Sequence, residues 1–331
     1  MNAGRAQQLA RILGSLDYKP DDFANITPFR EDAFRETHFI FFMTAIDHNT
    51  HAGLARYEAI IDGRLLHGSD LLYARAIAAA AADPDRFTPA RMPHVSASDL
   101  AVVFTTPEGR APVGLEERAT LLKNAAVVLT EHYGADVRNL FESAGGYIRR
   151  PDGKGLQDRL AKFLAYEDPI GKKTFLLIKL LRRRGRLAVS DPENILVPVD
   201  HVVFTLALRS GLVVAAPWVL REILSGQCLS EDIVHALRQE TLLAYRMVAE
   251  YARLHADEFD DLLWAYGREC LRMTAPFPEE TIASIDIPLN QRVGNAEALA
   301  NFIRFITGID GGAPRGAALL PVPVVPATWY I

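Results

Sequence analysis

From Leu156 onward the chain offers almost no strand pattern. Apolar residues recur at three- and four-residue spacing through 156–166, 172–184, 200–210, 217–224, 230–256 and 258–271, and again through 295–307. That period lays one apolar stripe along a helix. Such stripes leave water only by packing helix on helix, so the expected fold class is mostly α. The first half adds helical patterns over 5–14, 31–43, 69–82 and 115–133, with a further short helix from Ser98-Asp99. Arg56–Leu66 is the exception. It reads as two short strands around Asp62-Gly63, because those residues accept the positive φ angles of a tight hairpin.

Gly145-Gly146 and Pro151-Asp-Gly-Lys-Gly155 form the best break in the pattern. The expected division is therefore an N-terminal helical lobe with the β-element, residues 1–150, and a C-terminal helical lobe, residues 151–331. With 331 residues, 49% hydrophobic and 23% charged, the chain can bury a large core. A proline-punctuated tail from Leu319 suits an extended strap.

Composition excludes several functions. A net charge of -5 gives no global case for coating a polyanion, although a local basic face remains open. Cys228 and Cys270 lack metal-type spacing, which points to a reduced, cytoplasmic protein. The first residues show no leader pattern, and no run reaches the roughly 18 apolar residues of a membrane span. Phosphate-binding loops, dinucleotide fingerprints, zinc spacings and nucleophile elbows are missing from the sequence, so no cofactor or metal is expected.

Within Ile195–Val213 a single carboxylate, Asp200, interrupts an apolar run. Pro198 cannot lie inside a helix and drives Val197 to an extended conformation, so a helix starts at or just after Asp200. The acid then sits at the positive end of that helix, where it should stay ionised. An ordinary N-cap and a functional carboxylate both satisfy this pattern.

Three further groups stand out. Asp47, His48, Asn49 and His51 follow an apolar helix, a pattern that suits a base-reading set, a plain polar loop, or a metal site built on the two histidines. Lys172, Lys173, Lys179, Arg182, Arg183, Arg184 and Arg186 form the one basic run, readable as a solvated face or as phosphate contacts from Lys172 or Lys173. Nothing in the pattern marks a desolvated lysine of the Schiff-base kind. Trp264 and Tyr266 suit core packing or pocket lining.

The ordered set of elements resembles the queuosine salvage N-glycosylases, which release the deazaguanine base queuine from queuosine or its 5′-monophosphate. The resemblance runs over roughly residues 38–331. It is carried by Glu116-Glu-Arg-Ala-Thr-Leu-Leu, Leu129-Thr-Glu-His-Tyr-Gly134, Gly171-Lys172-Lys173 before an apolar helix, Pro198-Val-Asp200, Leu224-Ser-Gly, Leu263-Trp264-Ala-Tyr266 and the terminal pair Trp329-Tyr330. That family is similar in turn to helix-hairpin-helix DNA glycosylases, in which an aspartate also opens a helix after an extended step. Val197-Pro-Val-Asp-His201 fits both, but Gly171-Lys172-Lys173 lacks the second glycine of the phosphate-gripping hairpin.

The resemblance implies a two-lobed helical hydrolase of an N-glycosidic bond. Asp200 would stabilise the sugar cation, and the substrate would be a modified purine-like nucleoside or nucleotide. Asp47, His48, Asn49, His201, Trp264 and Tyr266 would contact it, with Lys172 or Lys173 at the phosphate. Asp47-His48 stands where the family carries an asparagine-aromatic pair, and Ala265 where it carries an acid. The alternatives are a DNA glycosylase using the same aspartate and a non-catalytic nucleoside- or RNA-binding module. Nucleic acid is the less favoured partner.

Overall fold

A computed structural model describes residues 1–50, 56–272, 285, 287–314 and 316–329. His51 and Tyr330, two residues singled out above, lie outside the described residues. Among those described, thirteen α-helices accompany one two-stranded antiparallel sheet, the mostly α fold with a small hairpin that the periodicity predicts. None of these helices is long and apolar enough to cross a membrane.

In chain order the elements are α1 (Ala3–Ser15), α2 (Ala33–Ala45), β1 (Glu58–Ile61), β2 (Arg64–His67), α3 (Ser69–Ala82), α4 (Ala97–Phe104) and α5 (Leu115–Tyr133). They continue with α6 (Val137–Ser143), α7 (Leu156–Leu160), α8 (Lys172–Arg183), α9 (His201–Arg209), α10 (Pro217–Ser225), α11 (Glu231–Ala252), α12 (Ala256–Arg272) and α13 (Ala296–Thr307). The hairpin pairs Ile61 with Arg64 across Asp62 and Gly63, both at positive φ. The pattern over 156–166 resolves into α7 and a separate 3-10 turn at Leu164–Tyr166. α4 is capped by Ser96, whose hydroxyl accepts from the Asp99 N–H while the Asp99 carboxylate accepts from the Ser96 N–H. The cap is thus two residues earlier than Ser98.

The chain forms two compact units, one of residues 1–21 and 195–326, the other of 22–194 and 327–331. The glycine-rich stretch that suggests a break at 150/151 lies inside the second unit. Its backbone is tied down there: the Asp191 carboxylate accepts from the N–H groups of Ile148 and Arg149, and Ser190 donates its N–H to Gly146. A side chain at Gly155 would come within 2.5 Å of the Ile148 carbonyl, so glycine here permits close backbone packing rather than a hinge.

In the first unit α1 packs on α11 and α13, and α9 packs on α11, α12 and α13. Arg5 explains why the N-terminal residues belong here. It is buried, donates from Nε to the Ser210 carbonyl and from both terminal nitrogens to Asp310, and lies 3.9 Å over the Phe305 ring. α9 and α12 meet at Gly267, where a Cβ would stand 2.5 Å from Leu206 Cδ1.

In the second unit α2 is the central helix, packed on α5, α6 and α8. Every residue from Glu36 to Ala45 is buried. Phe41 stacks on Tyr166, whose hydroxyl donates to the Phe41 carbonyl at 2.6 Å. Glu36, fully buried in this helix, is neutralised by Arg184 at 2.8 Å and by Arg186. Buried His38 donates from Nδ1 to Phe34 and accepts at Nε2 from the Val137 N–H, so it is a neutral core histidine.

Candidate functional site

Asp200 caps α9 in the first unit. Its backbone is extended, its Oδ1 accepts from the Val203 N–H at 2.9 Å, and the residue is 7% exposed. Val197, Val199, Val203 and Phe204 around it are buried. Buried Arg238 of α11 donates to the carbonyl of Val199 at 3.1 Å and so fixes the approach to the helix. Sequence reasoning passed over Arg238, whose only signal is a lone cation on the apolar face of α11. The result is a carboxylate held at a helix N-terminus in an apolar setting, where one oxygen is committed to the cap. A charge so placed acts on its surroundings through a low dielectric.

Asp47, His48 and Asn49 lie in the second unit, on the turn that follows α2, and Lys172 and Lys173 open α8 in the same unit. A helix leaves its last four carbonyls without internal partners. Here Met43 and Thr44 accept from the N–H groups of Ile46 and Asp47, and buried cations satisfy Ala45 and the carbonyls that follow it. Lys173 Nζ donates to the Ala45 carbonyl at 2.6 Å, and Lys172 Nζ reaches the Asp47 carbonyl at 3.4 Å. Arg118 of α5, with no exposed surface, donates to the carbonyls of Ile46, His48, Asn49 and Val113. Asn49 is itself exposed, while Asp47 and His48 are buried. The Asp47 carboxylate accepts from the Ser69 hydroxyl at 2.6 Å. Ser69 therefore does not cap α3; Gly68 occupies that position without a side-chain bond.

Protonation follows from this packing. Lys173 is fully buried beside Lys172 and Arg118, and burial followed by those two cations holds its amine well below the usual lysine range. Burial also brings the Arg118 guanidinium down to about 10, against the pull of Asp47 and Glu117. His48 is held well below the ordinary imidazole value by burial and then by Lys173, Arg118 and Lys172. Its Nδ1 lies 3.2 Å from Lys173 Nζ and 3.5 Å from Arg118 Nη1, so Nδ1 is the bare nitrogen and accepts. Nε2 then carries the proton and sits 2.9 Å from Glu117 Oε1, an approach without the alignment of a formed hydrogen bond. With Nδ1 facing two donors, that side of the ring is closed to a metal ion. Lys173 is the desolvated lysine that no sequence pattern indicates.

Tyr266 is a core residue. Its hydroxyl donates to Asn290 Oδ1 at 2.6 Å, its ring meets Phe302 edge-on, and burial raises its phenol. Trp264 is half-buried with the Arg268 guanidinium 4.2 Å over its ring. His201, the first residue of α9, is half-buried and accepts through its carbonyl from the Thr205 hydroxyl.

The basic run is not a solvated face at its lysines. Lys172, Lys173 and Lys179 are buried, and Arg184 and Arg186 serve Glu36. The reason is that α8 packs against α2, so Lys172 and Lys173 are taken up by the turn after α2 and Arg184 and Arg186 by Glu36, while Lys179 Nζ lies 5.5 Å over the Phe23 ring. Compared with known proteins, the chain matches no family model, and no curated protein is similar to it at a significant level.

Proposed function

We propose that the chain hydrolyses the N-glycosidic bond of a modified, purine-like nucleoside or its 5′-monophosphate and releases the free base, with queuosine 5′-monophosphate as the reference substrate. The observation that carries this reading is Asp200: a largely buried carboxylate, anchored through one oxygen at the start of α9 and surrounded by valines and phenylalanine. Loss of the base develops positive charge on the sugar, and a fixed carboxylate beside the anomeric carbon stabilises that charge or attacks it directly. A preorganised carboxylate in an apolar surround does this without reorganising at the moment of reaction.

Asp47 and His48 are assigned to the base. Asp47 accepts from ring or exocyclic N–H groups, and His48, whose ring nitrogens face Lys173 and Glu117, stacks. Lys172 is the lysine assigned to a phosphate, since its one long bond to Asp47 leaves donors to spare, whereas Lys173 is committed to Ala45 and His48. The use of Lys172, Lys173, Arg184 and Arg186 inside the second unit favours a small substrate over a nucleic acid, whose affinity depends on exposed Lys and Arg.

The test is to incubate the protein with modified nucleosides, their 5′-monophosphates and damaged oligonucleotides and to detect free base by mass spectrometry. Base released from a nucleoside or monophosphate, and lost in Asp200→Asn, supports the reading. Release only from oligonucleotides favours a DNA glycosylase, and tight binding without release favours a binding module.

A further inference from the structure

The turn after α2 is held by an arrangement that its own sequence does not require. Four consecutive carbonyls, those of Ala45, Ile46, Asp47 and His48, together with that of Asn49, accept from cations belonging to two other helices. Arg118 alone serves three of the five and also ties them to Val113, at the start of α5. A short polar turn on the surface needs none of this, because water satisfies its carbonyls at little cost. Burying three cations to hold one turn incurs a desolvation cost, offset by bonds to these carbonyls and by the nearby Asp47 and Glu117 carboxylates.

We propose that Arg118, assisted by Lys173, is the positioning residue of the recognition turn: its guanidinium fork fixes the backbone of residues 46–49 and so sets the directions in which Asp47 and His48 meet the base. This rests on the assignment of Asp47 and His48 to base reading. The roles divide by geometry. Arg118 holds backbone through a planar fork that a lysine does not reproduce, and Lys173 closes the end of α2 and holds the bare nitrogen of the His48 ring. Neither group has exposed surface to offer a substrate, so both act through the turn. The adjacent Glu117 stands at the other nitrogen of the same ring, so one turn of α5 holds the His48 backbone and faces its ring.

Two measurements on the full chain test this with Arg118→Lys and Lys173→Met, substitutions that keep most of the buried volume. Hydrogen exchange at the amides of residues 46–49 should quicken in both variants, while α2 and α6 exchange as before. With queuosine 5′-monophosphate as probe, Arg118→Lys should raise KM about tenfold or more, the loss of one or two bonds from a charged donor, with kcat little changed. Faster exchange throughout the second unit would mean a merely structural role and overturn the proposal. Unchanged KM in an active variant would also overturn it while leaving the hydrolase reading intact. If the wild-type protein releases no base from the probe, that reading falls, and the exchange pattern alone decides whether the clamp exists.

Discussion

Lys173 Nζ lies 3.2 Å from His48 Nδ1, two groups that both carry protons in acidic water and that burial, together with Lys172 and Arg118, keeps from both being charged. The turn after α2 is packed around an imidazole whose charged form is disfavoured by burial and by its neighbouring cations.

Stability should therefore fall as the solution is acidified from about pH 6.5. The folded-state value of His48 is lowered, so at high pH neither state binds the proton, and below the ordinary imidazole value the unfolded chain binds it first. His38, lowered mainly by burial, adds a contribution of the same sign. Each gives a slope of at most about 1.4 kcal/mol per pH unit. Urea unfolding between pH 5 and 8 checks this: the slope should shrink in His48→Gln, and a wild-type stability that is flat over this window would refute the packing argument.

Asp200→Asn separates charge from capping. Asparagine caps a helix about as well as aspartate, whereas alanine loses about 1 kcal/mol. The asparagine variant should keep the thermal midpoint within a degree or two and lose base release; Asp200→Ala should lose both. Turnover by Asp200→Asn at the wild-type rate would leave this residue a cap and nothing more.

Gly267 lets α9 and α12 approach. A Cβ there would lie 2.5 Å from Leu206 Cδ1 and 3.0 Å from Val202 Cγ1, in a closed core. Gly267→Ala should therefore destabilise the first unit by about 1–3 kcal/mol despite the better helix propensity of alanine. A shift of the denaturant midpoint to higher urea would show that the helices can separate freely.

Tyr266→Phe tests the packing role of the Leu263-Trp264-Ala-Tyr266 segment. Removing the hydroxyl leaves Asn290 Oδ1 short of a donor, which costs about 1–2 kcal/mol. Kinetic constants should not move. An increase in KM without a stability change would return the residue to the substrate.

Local sequence determined what depends on neighbours along the chain. Periodicity located α5, α8, α9, α11 and α13, because an apolar stripe is a property of spacing alone, and Asp62-Gly63 located the hairpin by its tolerance of positive φ. Pro198 before Asp200 placed the start of α9 and the identity of its cap, since both constraints act within three residues. Tertiary structure decided what depends on distant partners. The 150/151 stretch is rich in turn residues, yet its turns are bonded to Ser190 and Asp191. The run of lysines in α8 reads as a polar face, but a basic residue is solvated only if nothing claims it, and α2 supplies carbonyls and a buried Glu36 that do. Arg118 is one cation in an amphipathic helix until the fold brings it to the end of α2. Hydrogen bonds to backbone carbonyls leave no trace in residue identity, because every residue has a carbonyl, so this clamp is legible only in three dimensions.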